Sequence, residues 1–101
     1  MKKLLEPDSH IKGLPGLYFV RSYLGLTQQQ LADIAGLSTV AIRHCETGVR
    51  DCSLAFVRRL ASAMCCSPAD LLQEPNEVRL SQINVAFKFR QADEAAQAVG
   101  G

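Results

Sequence analysis

The chain has 101 residues, a formal net charge of +1 at neutral pH, and a hydrophobic fraction of 48%. That length fits one domain with its own core and leaves little room for a second. No run is long and apolar enough to cross a bilayer. The weak net charge excludes a binder that relies on bulk basicity, but not one whose cations are well placed.

Residues 1–13 show no clear period and read as an N-terminal arm carrying Lys2, Lys3 and Lys12. No apolar stretch follows the first two lysines, so the start does not read as a signal peptide and a cytoplasmic protein is expected. From Leu14 the period becomes helical. Leu17, Val20 and Leu24 recur at spacings of three and four, Pro15 suits a first turn, and Gly25 suits a stop. Thr27 and Gln30 have the spacing of a capping box, so a second helix starts near Gln28 and carries Leu31, Ile34 and Ala35 as far as Gly36. Ser38 caps a third helix, Thr39 to Glu46, which Gly48 ends. Ser53 caps a fourth, with Leu54, Val57, Leu60, Ala61 and Met64 on its apolar face. Ser67, Pro68 and Asp70 open a short fifth, closed by Leu71 and Leu72.

After Pro75 the period shortens to two. Ile83, Val85, Phe87 and Phe89 alternate with Asn84, Ala86, Lys88 and Arg90, which predicts a half-buried strand over 82–90. A lone strand with two phenylalanines needs a partner. Residues 1–13 of the same chain and the same strand of a second copy are the two candidates. Antiparallel pairing about a two-fold axis is favoured, with Ile83, Val85, Phe87 and Phe89 as the dimer contacts.

The cysteines, Cys45, Cys52, Cys65 and Cys66, contain no C-x-x-C pair. With His10 and His44 as the available imidazoles, the spacing does not suit a metal site, and none is expected. In a cytoplasmic chain the cysteines read as small hydrophobes and inert thiols, not as a disulfide framework. Ser/His/Asp and Cys/His sets at catalytic spacing and phosphate-cradling glycine loops are absent, so neither an enzyme nor a cofactor is expected.

The informative stretch runs from Gln28 to Cys45. Only Gly36, Leu37 and Ser38 separate two short helices, which forces a steep crossing. Such a crossing requires a small residue where the second helix passes, met by Ala32. It requires a left-handed residue at the turn, met by Gly36, and apolar contacts between the helices, met by Leu31, Leu37 and Ile42. With Leu24 to Gln28, Glu46-Thr47-Gly48 and the helix-4 pattern through Ala61, residues 16–73 resemble the DNA-binding domain of the phage repressor/Cro (XRE-type) helix-turn-helix family. The resemblance implies an all-α, five-helix, lambda-repressor-like domain over 14–74. Residues 75–101 would be a C-terminal β-strand extension used for dimerisation.

It also implies roles. The third helix would enter the major groove, with Thr39, Val40, Arg43 and His44 facing base edges. An arginine can donate two bonds to guanine, and Thr and Val methyls suit the thymine methyl. Gln28, Ser38, Thr47, Gly48 and Arg50 would hold phosphates, aided by the positive end of helix 2. Arg21 and Glu46 hold the positions of a family ion pair. Cys45 departs from the usual aliphatic residue, and Thr47 from the usual asparagine. The expected function is a sequence-specific transcriptional regulator that binds double-stranded DNA as a homodimer on a near-palindromic operator. One alternative is an antitoxin whose residues 76–101 hold a toxin protein. Another is a helix-turn-helix fold used only for protein contacts.

Overall fold

The computed structural model describes residues 10–100, with side chains over 11–97. Most of the expected arm, including Lys2 and Lys3, lies outside the described residues. The described part of the arm ends in a short strand, β1 (His10–Lys12). Helices α1 (Leu17–Tyr23), α2 (Gln28–Ala35) and α3 (Thr39–Thr47) follow. Then come β2 (Asp51–Ser53), α4 (Leu54–Ala63), α5 (Pro68–Leu72) and α6 (Glu77–Gly100). The described residues therefore hold six helices, not five, and a two-stranded antiparallel sheet in which Ile11 faces Cys52.

The helix starts follow from local chemistry. Thr27 Oγ1 accepts from the Gln30 amide at 3.0 Å, and the Gln30 side chain accepts from the Thr27 amide at 2.9 Å. Ser38 and Ser53 accept from the amides of Ala41 and Phe56, each at 3.1 Å. At α5 the acid answers: Asp70 Oδ2 accepts from the Ser67 amide at 2.9 Å. Each bond occupies an amide that the helix cannot satisfy itself. Gly36 and Gly48 adopt φ of 69° and 75° at the ends of α2 and α3, where a side chain would be strained.

The core collects Leu14, Leu17, Val20, Leu31, Ile42, Val57, Leu60, Met64 and Leu71, all fully buried. Ile34, on the apolar period of α2, lies 45% exposed, and Tyr18 and Phe19 on α1 are also exposed. Cys65 takes φ of 60° after α4, while the Cys66 amide bonds back to Ala61 O at 2.9 Å. This is the glycine position of a Schellman end, filled by a cysteine. Burial pushes the neighbouring Cys66 thiol up to about 12, which keeps it protonated and unreactive.

The expected strand over 82–90 is instead the middle of α6. Residues two apart in a helix are separated by about 200°, so alternation can also describe two opposite helix faces. Ile83 and Phe87 form one face and are 1% exposed in the core, whereas Val85 and Phe89 form the other and are 58% and 76% exposed. Three polar anchors fix this orientation. Asn76 Oδ1 accepts from the Arg79 amide at the helix start. The Arg79 guanidinium clasps both oxygens of Asp70 at 3.0 and 2.8 Å, holding that carboxyl down at about 2. Arg90 donates to the carbonyls of Ser62 and Ala63, covering the last turn of α4.

A second correction concerns the cysteines. Cys45 and Cys52 form a disulfide, with Cα atoms 6.3 Å apart. Gly48 reverses the chain after α3, and β1 holds β2 alongside, so two residues seven apart in sequence meet inside the core. A bridge over so short a loop contributes about 2–3 kcal/mol by restricting the unfolded chain. A strong dithiol reductant is therefore expected to lower the unfolding free energy from a urea titration by that amount, and the midpoint with it, while the Cys45→Ala/Cys52→Ala double variant ignores it. A wild-type midpoint unmoved by reductant would show that the bridge adds no stability.

Candidate nucleic-acid interface

Helix α3 has a dry face and a wet face. Ile42 is fully buried and Cys45 nearly so, which presses the helix onto α1 and α2. Val40 and Arg43, on the opposite side, are exposed, and Thr39 and His44 are half-buried at its margins. Arg43 takes no part in the two ion pairs formed among the described residues. An open groove of 480 Å³ runs along this helix, lined by Val40 and His44 on one side and Arg50, Ser53 and Phe56 on the other.

The start of α3 is fixed in a way the sequence reading missed. Thr39 Oγ1 donates to Gln29 Oε1 at 2.8 Å, and Gln29 Nε2 donates to Asp33 Oδ1 at 2.9 Å. By residue type alone, nothing marks Gln29 as more than a helix former. Its i,i+4 spacing to Asp33 was the available signal, but the bond to Thr39 depends on the crossing of α2 and α3. At the other end, Thr47 Oγ1 donates back to Arg43 O at 2.9 Å. Gly48 turns the chain against Gly13, and the Leu14 amide donates to Cys45 O at 2.9 Å. Arg50 and Val49 stand exposed on the loop that follows.

Glu46 is the hub. Its carboxylate accepts from Arg21 Nε, from Arg21 Nη2 at 3.1 Å and from Gln28 Nε2 at 3.0 Å. Arg21 Nη1 donates in addition to Leu26 O at 2.7 Å, and its guanidinium lies 5.5 Å from the centre of the Tyr18 ring. The pair is nearly dry, with the two side chains 11% and 8% exposed. One carboxylate thus joins α1, the loop after it, α2 and α3. Gln28, expected on a phosphate, is engaged by this hub through its amide nitrogen. Ser38 is likewise engaged as the α3 cap, although the residue itself is exposed.

Two short helices joined by a tight turn, the second backed by core and open on its outer side, define a helix-turn-helix. The chain belongs to the helix-turn-helix domain family, which it matches over residues 20–74, more than half of its length. That match is consistent with the repressor/Cro resemblance and suggests a DNA-binding regulator. No curated protein and no solved structure matches the chain. Among the described residues no helix is long and apolar enough to cross a membrane, and no group of side chains is arranged to hold a metal ion.

Proposed function

We propose that this protein is a sequence-specific transcriptional regulator that binds double-stranded DNA as a homodimer on a near-palindromic operator. It acts in the cytoplasm and without catalysis. The observation that carries the reading is the exposure of Val40 and Arg43 on a helix whose other side is locked into the core. A rod so held offers its outer side chains to base edges without further ordering, which lowers the entropic cost of binding.

Arg43 donates to guanine, and Val40 and Thr39 contact thymine methyls, with Thr39 held in place by Gln29. His44 stands at the groove margin. Arg50 and the loop at Thr47–Gly48 take the phosphate backbone, with Ser38 and Gln28 at the helix starts. Cytoplasmic thiols keep cysteines reduced, so the DNA-bound protein must also tolerate Cys45 and Cys52 as thiols. Reduced, both thiols stay buried in the core, and the fold does without the bridge's contribution.

Selection of binding sites from random duplexes tests this reading and yields the operator. Arg43→Ala is expected to cost about 1–3 kcal/mol at the selected site and to relax specificity at one base pair. Arg50→Ala should weaken binding to all sequences alike and flatten the salt dependence. Equal losses for Arg43→Ala on selected and random DNA would remove it from base reading. No enrichment, with no salt-dependent binding, would leave a fold used for protein contacts.

A further inference from the structure

Helix α6 carries a second apolar face that its own domain does not use. Beginning at Val78, residues alternate at spacings of four and three: Val78, Gln82, Val85, Phe89, Ala92 and Ala96. All six are exposed, with Phe89 at 76%. These are the a and d positions of a heptad repeat. Ile83 and Phe87, which face the core, fall at the b and f positions on the other side of the helix. The repeat spans about three heptads, the lower end of what a coiled coil needs. Two valines and a phenylalanine, interrupted once by Gln82, form an exposed apolar seam along the helix.

We propose that α6 is a parallel, two-stranded helical interface whose partner is α6 of a second copy of this chain. This rests on the homodimer reading above and gives it a surface and an orientation. Charge selects both. In a parallel pair the g residue of one heptad faces the e residue of the next heptad on the partner, five positions on. Here those residues are Lys88 and Asp93, both exposed, and the two-fold axis makes the contact twice. The polar a residue, Gln82, then meets its own copy, where two amides can bond each other and fix the register.

The antiparallel arrangement that packs Phe89 on the partner's Val85 is worse on each count. It sets Lys88 against Lys88 of the partner subunit and leaves Gln82 facing an alanine. Its one compensating cation, Arg79, is already committed to Asp70. A two-fold axis along α6 also leaves both α3 helices at the same level along that axis, as one duplex requires.

The test is the mass of the full chain by sedimentation equilibrium without DNA, across the micromolar range. Wild type is expected to dimerise and Phe89→Asp to remain monomeric. Because Phe89 is exposed in the free chain, the variant should melt as the wild-type monomer does. Lys88→Glu and Asp93→Lys should each weaken the dimer about tenfold, by converting two attractions into repulsions. The double reversal should restore it, an outcome an antiparallel pair cannot give. A monomeric wild type, a Phe89→Asp dimer, or a double reversal no better than the singles would each overturn the proposal. Binding of Phe89→Asp to a single half-site reports separately on the helix-turn-helix, so failure of the dimer is distinguishable from failure of the DNA reading.

Discussion

Gly16→Ala is expected to cost more than about 3 kcal/mol and to leave the chain largely unfolded near body temperature. The reason is space, not backbone freedom. Gly16 has an ordinary helical φ of −82°, but it is buried, and its amide donates to Leu71 O at 2.9 Å. An added Cβ would overlap Asp70 O and lie 2.5 Å from Gln73 O. Both obstacles are backbone carbonyls of the α5 region, so no rotamer change can relieve them. Nor can α5 retreat, because Leu71 is fully buried and Asp70 is clasped by Arg79. Ordinary overpacking costs about 1–3 kcal/mol, and a collision of two packed backbones exceeds that range. The gain in helix propensity, about 1 kcal/mol, is too small to compensate. A urea or thermal melt measures it: in a domain this size each kcal/mol moves the midpoint by about 4–8 °C. A shift of only a few degrees would show that α1 and α5 are not in close contact.

Gly16 also illustrates what a sequence conceals. In the string Leu14-Pro15-Gly16 the proline marks a helix start, and the glycine carries no sign of a partner more than fifty residues away. Features encoded within one turn were legible: the capping residues Thr27, Ser38, Ser53 and Ser67 start the helices at the expected positions. Features that depend on long-range geometry were not. Cys45 and Cys52 look unrelated until Gly48 folds β2 back along α3. The misreading of residues 82–90 has a different origin. β-Branched and aromatic residues at every second position carry strand propensity, yet the same spacing fills two opposite helix faces. The cap at Asn76 followed by an acid at Glu77 is a local helix signal that competes with the two-residue period. Within the candidate interface, the outward direction of Val40 and Arg43 follows from the burial of Ile42 and Cys45 on the same helix. The engagement of Gln28 and Gln29 could come only from the packed arrangement.

Glu46→Ala is expected to destabilise the fold by about 3–5 kcal/mol without any backbone collision. Removing the carboxylate strips Arg21 of two bonds and Gln28 of one, and leaves a guanidinium with the Leu26 carbonyl as its remaining partner in a nearly dry site. A buried charge without its counter-charge carries most of that cost. Glu46→Gln keeps the shape and some of the bonding, and should lose less, about 1–3 kcal/mol. The informative variant is the double replacement Arg21→Met/Glu46→Leu. Apolar side chains of similar volume often match a buried ion pair in stability, so the melting midpoint is expected to return close to wild type. DNA affinity is not expected to follow. Methionine and leucine can fill the space, but they cannot fix the angle at which α1, the Leu26 loop and α2 hold the C-terminal end of α3, because that angle is set by directional bonds to one carboxylate. Recovery of stability without recovery of operator binding would assign the pair to the orientation of the recognition helix. Recovery of both would make it an exchangeable piece of the core, and recovery of neither would mean that packing around Tyr18 and Gln28 cannot adapt to the apolar pair.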